Sequence, residues 1–185
     1  MKNKIKILLT LLLLLPLSLI FFKLNTMNDS ELRARIDRNI DPVIEEIEKK
    51  YPIHCKGGTI KDGLYYQRKK LCEISISFVA YHQSSIQEAR EIVVQIIQKI
   101  TDLINKDKKL RPYLDTFPFP YEKVYISLYF RQPDNNYYPD LAHVTSYAGI
   151  HYNSFDSRTS DLKSIYSESF EEAQKIIQNK SKINK

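Results

Sequence analysis

Residues 85–104 constrain the fold more than any other stretch of this 185-residue chain. Ser85-Ile86-Gln87-Glu88 has the form of a capping box, in which a serine and a glutamate satisfy free N–H groups at a helix start. Ile86, Ala89, Val93, Ile96, Ile97, Ile100, Leu103 and Ile104 then line one face for about five turns. Lys106, Lys108 and Lys109 suit the negative C-terminal end. This helix is the expected spine of the core.

The period changes on either side of it. Ile74, Ile76, Phe78 and Ala80 alternate with Glu73, Ser75, Ser77 and Val79, and Val124, Ile126, Leu128 and Phe130 alternate with Tyr125, Ser127, Tyr129 and Arg131. Both read as strands with one face on a core. Gly57-Gly58 and Asp62-Gly63 signal turns, with Leu64-Tyr65-Tyr66 on a partner strand. Residues 141–146 and 150–153 read as a hairpin around Ala148-Gly149, and residues 162–166 as a short edge strand.

Two further helices complete the pattern. Leu32, Ile36, Ile40, Val43, Ile44 and Ile47 recur at helical spacing behind the cap candidates Asn28, Asp29 and Ser30. Pro42, preceded by Asp41, implies a kink or a fresh helix start there. Ser169-Phe170-Glu171-Glu172 is a second capping box, opening a helix that buries Phe170, Ala173, Ile176 and Ile177. The expected fold is α+β in the order α-β-β-α-β-β-β-α: an antiparallel sheet of about five strands with helices on one face. The expected domain covers residues 28–180, with a frayed tail over 181–185.

An N-terminal hydrophobic helix is expected ahead of this domain, over residues 1–27. Lys2, Lys4 and Lys6 precede an uncharged run from Ile7 to Phe22, the layout of a secretory signal. As a helix, residues 5–22 would be about 27 Å long against roughly 30 Å of bilayer hydrocarbon. No Ala or Gly follows the apolar run to suit a signal peptidase, which favours an uncleaved signal-anchor over a cleaved peptide. Charge ahead of the run outweighs Lys23 behind it. The membrane is thus an expected partner through residues 5–22, and the domain is expected to face outward into periplasm or exterior, or to be secreted if cleavage occurs.

The net charge of +6 is largely the leader's. Four of the 28 basic residues lie in residues 1–26 with no acid, leaving 24 basic against 22 acidic beyond, or +2. Local basic clusters such as Arg68-Lys69-Lys70 read as solvated loops, so no nucleic-acid partner is expected. Cys55 and Cys72 are the only cysteines. Export favours a disulfide between them, with two inert buried thiols as the alternative.

No motif supplies obvious chemistry. There is no G-x-S-x-G, and four glycines provide neither a phosphate loop nor a dinucleotide fingerprint, so no cofactor is expected. His143 and His151 share a sheet face only if the hairpin turn has three residues ending at Gly149, and two ligands would still be too few for zinc. No metal site is therefore assigned. Glu45-Glu46 and Glu171-Glu172 are adjacent helix pairs pointing in diverging directions. Tyr125, Tyr129 and Arg131 lie on the polar face of one strand, where tyrosine either marks a recognition surface or simply covers a sheet.

Ala89-Arg90, Asn105, Arg111-Pro112-Tyr113-Leu114, Pro118-Phe119, Gly149-Ile150 with Tyr152, and Glu171-Glu172-Ala173 together resemble a family of small, signal-bearing bacterial proteins, found notably in intracellular bacteria. The resemblance spans roughly residues 72–178 and implies no catalytic residue, since the family has no assigned activity. It draws attention to Arg111 and Tyr113, which flank a proline in the loop after the strongest helix.

The expectation is a non-enzymatic, membrane-anchored domain outside the cytoplasmic membrane that binds a protein partner through the tyrosine-bearing sheet face or the Arg111 loop. The alternatives are an exported hydrolase assembled from dispersed residues such as His143, His151 and Asp140, and a cleaved secreted factor.

Overall fold

The computed structural model describes residues 27–56, 64–65 and 70–183. The expected leader, the turns at Gly57-Gly58 and Asp62-Gly63, and Tyr66 of the expected second strand lie outside them. Among the described residues, no helix is long and apolar enough to cross a membrane. The described chain divides into two units between residues 34 and 35.

Helix α1, Asp29–Lys50, starts in the first unit. Asn28 caps it: its side-chain oxygen accepts from Glu31 N at 2.9 Å, while its own N–H donates to Glu31 Oε2 at 2.9 Å. The helix continues through Pro42 rather than restarting at Asp41. Pro42 forfeits one backbone hydrogen bond, but the apolar stripe Ile36, Ile40, Val43 and Ile47 stays in phase and buried on both sides of it.

Among its described residues, the second unit holds a mixed, open sheet of seven strands. They are β1 (Ile53–Cys55), β2 (Leu64–Tyr65), β3 (Glu73–Ala80), β4 (Val124–Phe130), β5 (His143–Thr145), β6 (Ile150–Asp156) and β7 (Asp161–Glu168). The order is β1-β3-β4-β5-β6-β7, with β1 and β2 pairing different stretches of β3. Helix α2, Ile86–Lys106, joins β3 to β4, and α3, Phe170–Ile183, follows β7. α3 runs into the stretch expected to fray.

The antiparallel sheet expected from the sequence is instead mixed: β3 and β4 pair in parallel from Ile74↔Val124 to Ala80↔Phe130. The cause is the connection. A chain leaving β3 through a 21-residue helix comes back to start β4 beside the start of β3, whereas a short turn would have reversed it. All other pairs are antiparallel.

Ile74, Ile76, Phe78, Val124, Ile126, Leu128 and Phe130 are buried on one face. α2 packs on β4, and α3 packs on α2. α1 is tied to α2 at both ends. Asp107, just past the C-terminus of α2, accepts from Arg35 Nη2 at 2.7 Å and Asn39 Nδ2 at 3.0 Å, and Lys99 donates to Glu46 at 2.7 Å. Asn105 clasps the following loop, donating to Phe119 O at 2.9 Å and accepting from Phe119 N at 2.6 Å.

The expected disulfide is absent, and Cys55 and Cys72 are free thiols. Register explains why. Cys55 lies opposite Phe78, six residues along the chain from Cys72. At about 3.3 Å per residue that is roughly 20 Å, far beyond the ~7 Å limit for bridged Cα atoms.

Candidate functional site

The residues singled out in the sequence fall into three separate places. Arg111 and Tyr113 sit in a 3-10 turn, Arg111–Tyr113, after α2. The Arg111 guanidinium lies 4.2 Å from the centre of the exposed Phe117 ring. Lys70 Nζ donates to Pro112 O at 2.6 Å and Leu71 N to Tyr113 O at 2.6 Å, so this loop is stitched to the segment leading into β3.

Tyr125 and Tyr129 do share the half-exposed face of β4. Their neighbours follow from register. One row across the sheet reads Ser77, Ser127, Thr145, His151, Ser167; the next reads His54, Val79, Tyr129, His143, Asn153, Ser164. Tyr129 stacks on His143 at 4.5 Å, and burial holds the His143 imidazole below its ordinary pKa. Tyr125 leans on the exposed Tyr147 at 5.2 Å, and burial, with the Glu73 carboxylate beside it, raises its pKa. Arg131 is spoken for: it donates to Asn135 O at 2.7 Å and Tyr137 Oη at 2.9 Å, clamping the turn after β4.

The β5–β6 turn decides the histidine register. Ala148 and Gly149 both adopt positive φ, 54° and 123°, and a Cβ on Gly149 would lie 3.2 Å from Glu168 O. Thr145 therefore pairs with His151, which puts His151 on the face of His143. His151 Nδ1 lies 2.9 Å from Ser167 Oγ. Asp140, the third residue considered with them, instead accepts from Gln83 at 2.9 Å. Among the described residues, no group of three His, Cys, Asp or Glu is placed to hold a metal ion.

The same turn forms one wall of a pocket of about 440 Å³. Ser146 and residues 148–151 meet residues 167–171 at the start of α3, with Ile97 of α2 and Tyr121 and Glu122 of the 3-10 turn Tyr121–Lys123 completing the lining. Ser146 is pinned in place, accepting from Ile126 N at 2.7 Å and donating to Val124 O at 3.1 Å. The rings of Tyr121 and Phe170 stack at 4.4 Å with 24° between their planes. Tyr121 Oη donates to Glu171 Oε1. Glu122 also lies within hydrogen-bonding reach of that hydroxyl, and the Glu171 bond, burial and the Glu122 charge together push the phenol well above its ordinary pKa.

At the buried end of the lining is Glu168, with a side chain 1 % exposed. Its Oε1 accepts from Arg90 Nε at 2.7 Å and from Tyr152 Oη at 2.5 Å. Among the described residues, its Oε2 has no hydrogen-bond partner.

Sequence reasoning found His151 and the Ser169 cap of this pocket but not Tyr121, Glu122, Glu168 or Phe170 as neighbours. Ser169 does cap α3, accepting from Glu172 N at 3.1 Å and donating its N–H to Glu172 Oε2 at 2.8 Å. Fold and pocket together define an α+β domain with a concave site beside α3. No family model matches the chain, and no curated protein or solved structure matches it either.

Proposed function

We propose that the chain is a binding domain held outside the cytoplasmic membrane by residues 5–22, and that its pocket beside α3 takes a small organic ligand. The pocket carries this reading. Its 440 Å³ falls within the ~300–1,000 Å³ of small-molecule sites, and it combines apolar walls from Ile97, Ile150, Tyr121 and Phe170 with a few convergent polar groups. Arg111 packs over the Phe117 ring and Arg131 holds the 135–137 turn. The outward location rests on the charge and hydropathy of the leader.

Saturation-transfer NMR of the full chain in lipid nanodiscs, against a mixture of small fragments, tests the binding reading. Compounds should bind the native chain and lose binding in Ser167→Trp, which fills the pocket from an exposed position. Binding that is absent, or unchanged in Ser167→Trp, would remove it.

A hydrolase is the second reading, favoured by the 2.9 Å contact between His151 and Ser167 at the pocket wall. Against it, among the described residues no carboxylate orients His151. Turnover of p-nitrophenyl acetate that disappears in Ser167→Ala would favour this reading over simple binding.

A further inference from the structure

We propose, building on the reading of residues 5–22 as a membrane anchor, that the turn after α2 docks on anionic phospholipid headgroups of that same bilayer, with Phe117 entering the interface. Lys106, Lys108, Lys109 and Arg111 lie close together along the chain and all are exposed. Among the described residues, the ion pairs engage other cations and none of these. The carboxylate between them, Asp107, is already answered by Arg35 at 2.7 Å and Asn39 at 3.0 Å. Lys70 adds a further positive charge, since its Nζ donates to Pro112 O at 2.6 Å. Against these stands the exposed Asp115. The turn is positive, and its charge is unspent within the fold.

The tip of the following loop supplies a second, independent observation. Residues 115–118 are all exposed, and Phe117 presents 47 % of its surface. The Arg111 guanidinium lies 4.2 Å from the centre of its ring. A ring that enters the interface beside a cation that stays among the headgroups suits the boundary of a bilayer. Both ends of the tip are fixed. Asp115 N donates to Leu71 O at 3.0 Å, Asn105 clasps Phe119, and Leu110 and Leu114 are buried. Ring and cations are thus presented together, with little left to order on docking.

The length of the leader's connection fits this occupant. Arg35, which grips Asp107, follows Phe22 by thirteen residues. Six linking residues at up to ~3.5 Å each and seven helical ones at ~1.5 Å reach about 30 Å at most. A compact domain of this size is about 40 Å across, so the tether is shorter than the domain it holds and the turn at Asp107 stays within reach of the bilayer surface. Anionic headgroups there favour each nearby lysine or arginine about fivefold, an attraction that salt screens beyond ~10 Å.

Paramagnetic NMR of the full chain, ring-labelled at phenylalanine, provides the test. Nanodiscs of phosphatidylcholine alone are compared with discs that also contain phosphatidylglycerol, both carrying a headgroup-spin-labelled phosphatidylcholine. Phe21 and Phe22 report the leader, and Phe117, assigned through Phe117→Leu, reports the turn. Relaxation enhancement at Phe117 should be about fivefold or more greater in the anionic discs. It should fall to the neutral-disc value in Lys106→Gln/Lys108→Gln/Lys109→Gln/Arg111→Gln. The charge-matched Lys49→Gln/Lys50→Gln/Lys175→Gln/Lys182→Gln, on α1 and α3, should leave it unchanged. All these positions are exposed, so both variants keep the fold. Equal enhancement in the two discs, or an equal loss in both variants, overturns docking on anionic lipid. Enhancement at Phe21 and Phe22 with none at Phe117 overturns docking and leaves the anchor standing. A chain that stays out of both discs overturns the two together.

Discussion

At the scale of single residues, a buried ion pair and a half-buried thiol give the sharpest expectations. Arg90 and Glu168 form an ion pair between α2 and the end of β7, with side chains 8 % and 1 % exposed. Removing one partner strands the other in a medium that solvates it poorly. Arg90→Ala should therefore cost about 3–5 kcal/mol in urea unfolding, and Arg90→Met with Glu168→Leu should recover much of the loss. A cost under about 1 kcal/mol for Arg90→Ala would show the pair to be solvated. Cys55 behaves differently. Burial, then the nearby Glu48 and Asp41 charges, push its thiol up to about 11, so almost none is thiolate at neutral pH. Iodoacetamide at pH 7.5 should modify Cys55 at least ~10-fold more slowly than free cysteine, while both thiols react after unfolding. A native protein whose thiols stay unreactive even when unfolded without reductant would instead carry a bridge.

At the scale of elements, what could be read from the sequence was local. The caps at Asn28, Ser85 and Ser169 and the alternation in β3 and β4 are each encoded within a few residues, and all appear. The parallel pairing of β3 with β4 is not encoded that way, because alternation names a strand's buried face but not its neighbour. The β5–β6 turn is intermediate: Ala148-Gly149 marks it, yet only the positive φ at both residues selects the register that sets His151 opposite Thr145, on the face of His143. The pocket was hidden for the same reason. Its lining comes from segments near 97, 121, 148 and 169, and only the finished sheet order joins them.

The clamp between α1 and α2 also belongs to this scale. Burial would raise the pKa of Asp107, but hydrogen bonds from Arg35, Asn39 and Lys109 N outweigh it and hold the carboxyl below its ordinary 3.8. The unfolded chain then binds a proton at higher pH than the folded one. The clamp's contribution is complete well above 3.8 and fades as pH falls through the lower folded value. Urea midpoints of the native chain should drop more steeply below about pH 4 than those of Asp107→Asn, which lacks this titration. Parallel pH curves would contradict the clamp.

At the scale of the whole molecule, location and recognition are separate questions. The proposed location rests on the sequence of residues 1–26, where three lysines precede an apolar run. Alkaline phosphatase fused after residue 185 should be active in cells, and inactive when residues 2–26 are deleted. An inactive full-length fusion would place the domain inside. Recognition depends on whether ligands enter the pocket beside α3 or settle on the tyrosine-bearing sheet face, since both present aromatic rings.

Ring-labelled tyrosine and phenylalanine distinguish the two in one NMR titration of the full chain with the fragment mixture. The Tyr121 and Phe170 resonances should shift together while those of Tyr125, Tyr129 and Tyr147 stay in place. Shifts confined to Tyr125, Tyr129 and Tyr147, with Tyr121 and Phe170 unmoved, would contradict the pocket as the site of function.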